Sequence, residues 1–348
     1  MRQKRSKGRV FLIFVMFVLI ICFGAVHASA ARVRLKYAHQ NNVYDADQLC
    51  AETFKSIVEK ETDGEITVTI YPGTLTTSEE EALEYMRSGT LDVGANSAGH
   101  ISGFYQDIQF LQLPYLFKSK EHYYVARRSA VLQEILDELG EAVGLVPLGI
   151  YSDCNGFAIC STKPIRSLSD ARRMKLRSMQ NPLFVDMYEA WGFNVTPTDW
   201  GELYTSLQTG LVEANDLGAY CQYVFKLAEV VKCMAVTNHC WTQKVIFIAP
   251  RTWNRMNSEQ KEIVRSAAEQ AVELTDQFQY AKEMMAIEKA KGEGYMVTYP
   301  DLEPFKKASE KVYDKWFRRY PRWEKWYEDI QYLDPDARMP KAGLPKIE

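Results

Sequence analysis

The stretch MKLRSMQNP, residues 174–182, sets an arginine inside a short alternating segment that runs into a proline. On a strand, Met174 and Leu176 face one way and Lys175 and Arg177 the other. Arg177 is then either one more solvated cation beside Arg172, Arg173 and Lys175, or a charge that holds something; the stretch alone leaves both open. The other reactive side chains assemble no recognisable machinery. His39, His100, His122 and His239 have no metal-ligand spacing, and no His-Glu-x-x-His, Gly-x-Ser-x-Gly or phosphate-cradling glycine loop is present. The acids single out no pair suited to glycoside hydrolysis. An enzyme is therefore the minor reading, and neither a cofactor nor a metal is expected.

Charge and cysteine usage narrow the class. Arg2, Lys4, Arg5, Lys7 and Arg9 precede an apolar run at residues 10–23, and Ala28, Ser29 and Ala30 supply a small-residue cleavage site. This is a secretory leader, residues 1–30, cut before Ala31; the run is shorter than the roughly 20 residues that span a bilayer. Its loss removes five cations and no acid. The 318 remaining residues then carry 37 Lys plus Arg against 45 Asp plus Glu, a formal charge of −8. An acidic surface argues against a nucleic-acid partner. Cys50, Cys154, Cys160, Cys221, Cys233 and Cys240 remain and would meet an oxidising compartment, where pairing and burial as free thiols are both open.

The elements that must position any site follow from periodicity. Residues 33–38 alternate as a strand, residues 45–61 carry apolar groups at helical spacing, and residues 66–71 alternate again before Pro72 and Gly73. A β-α-β opening of this kind implies a largely parallel sheet with covering helices. Ser78 to Glu81 reads as a helix cap, and Gly89 as the end of that helix. Asp199 to Glu202 and Gly210 repeat the arrangement 121 residues later, with Asn96 and Asn215 following the two glycines. Two related α/β lobes would bring those asparagines to one cleft, because strand carboxyl ends line the ligand crevice of open α/β sheets. A helix opened by Asn257 and Gln260 runs without Gly or Pro to about Lys291, long enough to brace both lobes. Trp316, Trp323 and Trp326 read as a tail docked on the body.

Several motifs together resemble the DctP-like P subunits of TRAP transporters, the tripartite ATP-independent periplasmic uptake systems. They are Lys175-Leu-Arg-Ser, the run from Asn194 through Pro197, Trp200 and Gly210 to Asn215, and Lys226 through Thr237, Asn238 and His239. Tyr71-Pro-Gly, Ser88-Gly-Thr-Leu-Asp92 and Leu113-Pro-Tyr-Leu-Phe117 are similar to the same family's first lobe. The resemblance implies a two-lobed periplasmic-binding-protein fold with a ligand cleft between the lobes and a hinge-spanning helix. It divides the chain into residues 31–154 plus 243–282 and residues 155–242 plus 283–348.

By the same resemblance the protein is a periplasmic monomer that closes on a small organic acid and delivers it to the small and large membrane permease subunits. The alternatives are a ligand sensor for a membrane receptor and a periplasmic hydrolase. Arg177 takes the role of the carboxylate anchor, which suits a planar guanidinium with paired donors. Asn215 orients the carboxylate, Gln180 is a polar neighbour, Trp200 is an aromatic wall, and Gln40 and Asn96 touch the rest of the ligand. The chain departs from its relatives at two positions, with Phe157 where many carry a second arginine and Asp216 where proline is frequent. One cation fewer and one acid more favour a monocarboxylate, with its remaining part against Trp200 and Phe157; Asp216 is either at the site or solvated.

Overall fold

Alternating residues become strands where expected, and the glycines turn the chain between them. The computed structural model describes residues 33–76, 78–155 and 158–335. The leader and Phe157 lie outside the described residues, as does the side chain of Cys154. Strand β1 (Val33–His39) leads into helix Ala46–Glu61, whose first turn is capped by the Asp45 side chain. Gly64, at φ 76°, reverses the chain into β2 (Ile66–Pro72), which pairs parallel with β1. Helix Glu79–Ser88 is capped by Ser78 and ended by left-handed Gly89 before β3 (Val93–Ser97).

The later strands are β4 (Val146–Asn155), β5 (Ala158–Ser161), β6 (Lys175–Ser178), β7 (Asn194–Pro197), β8 (Ala214–Leu217), β9 (Cys233–Val236), β10 (Trp241–Ile248) and β11 (Met296–Thr298). Five of the strands form one sheet in the order β2-β1-β3-β10-β4, and six form a second in the order β11-β9-β5-β8-β6-β7. In the first, β1, β2 and β3 are parallel; in the second, β6, β7 and β8 are. The chain passes from first sheet to second between β4 and β5, and back between β9 and β10. Two-lobed α/β architecture is thus present.

A third crossing is the helix Ser258–Gly292, 35 residues long and about 52 Å at 1.5 Å per residue. Asn257 and Gln260 cap each other reciprocally at its start. Its first half buries Val264, Ala267, Ala268, Ala271 and Val272 in the core around Leu35 and Phe54. Ala286, Ile287 and Ala290 join the core of the second sheet with Leu203 and Met234. Between these ends Asp276 is fully buried, accepting from Arg127 and from the Ser152 amide at 2.6 Å. One carboxylate therefore fastens the brace to β4.

The tail docks as expected. Trp316 and Trp323 stack at 5.5 Å, and Trp323 and Trp326 meet the Phe110 ring edge-on. The Trp316 indole donates to Asp186, and Trp191 donates to Ser309. Cys50, Cys160, Cys233 and Cys240 are buried free thiols, so for these four the burial reading is the one realised; Cys221 is half-buried.

Asp276→Ala leaves the Arg127 guanidinium buried without its carboxylate, and breaking a buried pair this way costs about 3–5 kcal/mol. Urea unfolding followed by circular dichroism measures it; a loss below about 1 kcal/mol would show that the pair does not hold the helix.

Candidate functional site

Strand register places the anchor candidate. Arg177 lies on β6 between Thr196 of β7 and Asn215 of β8, at the carboxyl ends of three parallel strands. Only 3% of it is exposed, unlike Lys175 two residues earlier. Thr198, just past β7, donates its amide to the Ser178 carbonyl and turns its own carbonyl to Arg177. That oxygen accepts from Nε at 3.1 Å and from Nη2 at 2.9 Å. A guanidinium has five donors, so three remain after Thr198. Nη1 stands 4.0 Å from Asp216 Oδ1, and the guanidinium carbon is 5.8 Å from the Trp200 ring.

Asp216 has no exposed surface. The Tyr188 hydroxyl donates to its Oδ2 at 2.7 Å and also lies 2.9 Å from His239 Nε2, whose ring reaches Thr237 through Nδ1. Burial raises the Asp216 carboxyl to about 6, against the opposing pull of Arg177 and Tyr188.

The first sheet presents a matching edge. Asn96 and Ser97 end β3, Gln40 and Asn41 follow β1, and antiparallel β10 brings Lys244 opposite Ser97. Buried Lys244 reaches Asp47 at 2.8 Å and Glu79 at 3.9 Å. Asp47 also accepts from Tyr151 and Asn41. Glu79 accepts from Gln40 at 3.1 Å and from both amide and hydroxyl of Ser97, with His100 Nδ1 at 3.0 Å. Burial alone would raise the Glu79 pKa, but the His100 contact and the charge of Lys244 lower it to about 2. Asn181 donates to Gln112 at 2.9 Å, joining the segment after β6 to the one that follows β3.

Several buried polar atoms have no protein partner: both amide atoms of Asn215, Gln222 and Gln243, Oδ1 of Asp216 and Asn96, and Nε2 of Gln112. Each such group carries a desolvation penalty of about 1–3 kcal/mol. Three guanidinium donors stand beside those of Asn215 and Asp216, and together these groups suit a small solute bearing one anionic group and several neutral polar ones. Among the described residues no cluster of His, Cys, Asp and Glu is arranged to hold a metal. An open groove of about 1010 Å³ between Tyr115, Asn238, Leu302 and Tyr313 shares no residue with this site.

The residues named from sequence are distributed unevenly. Asn215 and Asp216 fall beside Arg177, so the solvated alternative for Asp216 is ruled out. Trp200 is near the guanidinium but 44% exposed, edge-on to Phe225. Gln180 is exposed and donates to Asp199, while the Thr198 carbonyl takes the Nε–Nη2 edge of Arg177. Gln40 and Asn96 are on the first sheet and bond to Glu79, Asn96 through the Glu79 carbonyl at 2.6 Å. Asp199 does not cap a helix as its spacing predicts. Residues 200–202 form a 3₁₀ turn, and the Glu202 amide bonds the Asp199 carbonyl. Sequence reading missed Lys244, Asp47, Glu79 and Gln243. The available signal was Gln243-Lys244 inside a strand that is otherwise strongly apolar.

Two α/β lobes linked by three crossings, with polar groups gathered at the strand ends of both, define a two-lobed solute-binding protein. The chain belongs to the bacterial extracellular solute-binding proteins, family 7 (DctP), whose family model matches residues 37–320. It is 26% identical over 297 residues to the sialic acid-binding periplasmic protein SiaP of Vibrio cholerae, covering 85% of this chain and 92% of that one. A TRAP periplasmic solute binding protein from Pseudomonas putida F1, crystallised with bound D-glucuronate, matches with TM-score 0.79 at 25% identity over 87% of this chain and 98% of that one. Another from Polaromonas sp. JS666, bound to D-erythronate, matches with TM-score 0.78 at 26% identity over 87% and 99%.

The depressed Glu79 pKa fixes a direction for acid stability. Its contribution is complete above the ordinary value of 4.5 and is lost as pH falls toward 2, amounting to up to about 3 kcal/mol. Glu79→Gln is expected to be less stable at pH 7 and to show a shallower decline between pH 4.5 and 2 in denaturant titrations. Parallel profiles for the two proteins would contradict the assignment.

Proposed function

We propose that the protein captures a small hydroxylated monocarboxylate between its lobes outside the cytoplasm and delivers it to TRAP membrane permease subunits. The observation that carries this reading is Arg177, a buried guanidinium held by a backbone carbonyl with three donors left over, next to the unpartnered amide of Asn215. The carboxylate lies on Arg177 and Asn215. Trp200 and Phe157 flank the rest of the ligand, Asp216 lies behind the arginine, and Gln180, Gln40 and Asn96 line the approach. D-glucuronate and D-erythronate, bound to the two matched structures, each combine one carboxylate with several hydroxyls. Residues 31–154 plus 243–282 form one lobe and residues 155–242 plus 283–348 the other, closing about the three crossings. Ligand contacts to both lobes favour the closed state, and the protein works as a monomer released by leader cleavage before Ala31.

A thermal-shift screen of sugar acids and other small carboxylates tests this. A binder at 100 times its Kd adds about 2.7 kcal/mol of stability. Arg177→Ala is expected to weaken that binder at least about 100-fold, the loss of a charge-assisted pair, while the ligand-free protein still unfolds cooperatively. Affinity retained within a few-fold would refute the anchor role.

A further inference from the structure

The proposed site contains an acid where its ligand must bring another. Arg177 offers its free edge toward Asp216 Oδ1, which is 4.0 Å away and has no donor of its own. The opposite edge is closed by the Thr198 carbonyl. A ligand carboxylate docking on the remaining donors therefore shares one guanidinium with a second, fully buried carboxylate. Two anions against one cation leave a net negative charge out of water. Like charges at such range disfavour the doubly ionised state, and a proton resolves it.

We propose that Asp216 makes carboxylate capture proton-linked, so that each organic acid anion enters the Arg177 site together with one proton from solvent, carried by Asp216. This rests on the reading that Arg177 receives the ligand carboxylate. Protonation converts Asp216 Oδ1 from a competitor for the guanidinium into a group able to donate, while Oδ2 keeps the Tyr188 hydroxyl. Asp216 is thereby a specificity-determining residue, admitting an anion only as a neutral pair with a proton.

The surrounding groups leave few other places for that proton. Tyr188 and Cys240 face Asp216 from the helix Pro182–Ala190 and from the segment before β10; burial raises both well above their ordinary values, so both stay neutral. Asp199 acts on Arg177 from the solvent side and is exposed. His239, one hydrogen bond beyond Tyr188, is the rival acceptor. Asp216 already sits near 6 before any further anion arrives. At pH 7.5 it is mainly ionised, and an added negative charge raises its proton affinity.

The test uses D-glucuronate, D-erythronate and sialic acid as probes, with calorimetry at pH 7.5 in phosphate and in Tris, whose ionisation enthalpies differ. Uptake of roughly 0.5–1 proton per ligand is expected, with affinity rising up to about tenfold per pH unit as pH falls from 8 to 6. Asp216→Asn should bind without proton uptake and with a flat pH profile. Carbon-13 NMR of aspartate carboxyls in the wild-type protein, with and without the probe, decides the matter independently of that variant's folding. Binding without proton uptake overturns the proposal and leaves the carboxylate reading standing. Uptake that survives in Asp216→Asn but is lost in His239→Gln overturns it in favour of His239. If no probe binds at any pH between 6 and 8, the carboxylate reading falls and this proposal with it.

Discussion

A guanidinium removed from water has to be answered by acceptors, and the ends of β6, β7 and β8 are arranged around that demand. Burying such a charge costs several kcal/mol unless its donors are engaged. Here a main-chain carbonyl supplies the first answer, and the pairing of β6 with β7 sets its position. The second comes from Asp216, one residue beyond the strand partner of Arg177. Neither partner consumes every donor, so the charge is held in place while part of it stays available.

The first lobe solves the converse problem. Asp47 and Glu79 bring negative charge into the interior, where Lys244, hydroxyls and amides satisfy it. Each sheet gathers its polar residues where its parallel strands end, because backbone pairing stops there and side chains take over. The helix Ser258–Gly292 shares its alanines with both cores. Small side chains let it lie close to each sheet, and Asp276 fixes its position along β4.

Much of this was legible in the sequence, because the signals were local. Alternation gave β1 and β2, apolar spacing gave the helix at Ala46, capping residues gave the starts of the helices at Glu79 and Ser258, and the strand containing Arg177 was evident from four residues. What stayed hidden depends on register and distance. Lys244 and Asp47 are 197 positions apart, and no spacing rule links them. Gln180 is next to Arg177 in sequence pattern, yet the turn after β7 delivers Thr198 to the guanidinium instead. Pro182 looked like the stop of a strand; it is the first residue of a helix capped by Asn181. Asp216 alternates with Asn215 on a strand covered on both faces, so its burial follows from the helix Pro182–Ala190 and could not be read from β8 alone.

The tryptophans have a consequence of their own. Trp191, Trp241, Trp253, Trp316, Trp323 and Trp326 are sheltered in the interior, whereas Trp200 is 44% exposed beside the guanidinium. On the proposed reading, in which the ligand docks beside Arg177, the intrinsic emission divides into six enclosed indoles and one placed to respond to the ligand. The protein would on that reading carry its own optical gauge of occupancy, with no label attached.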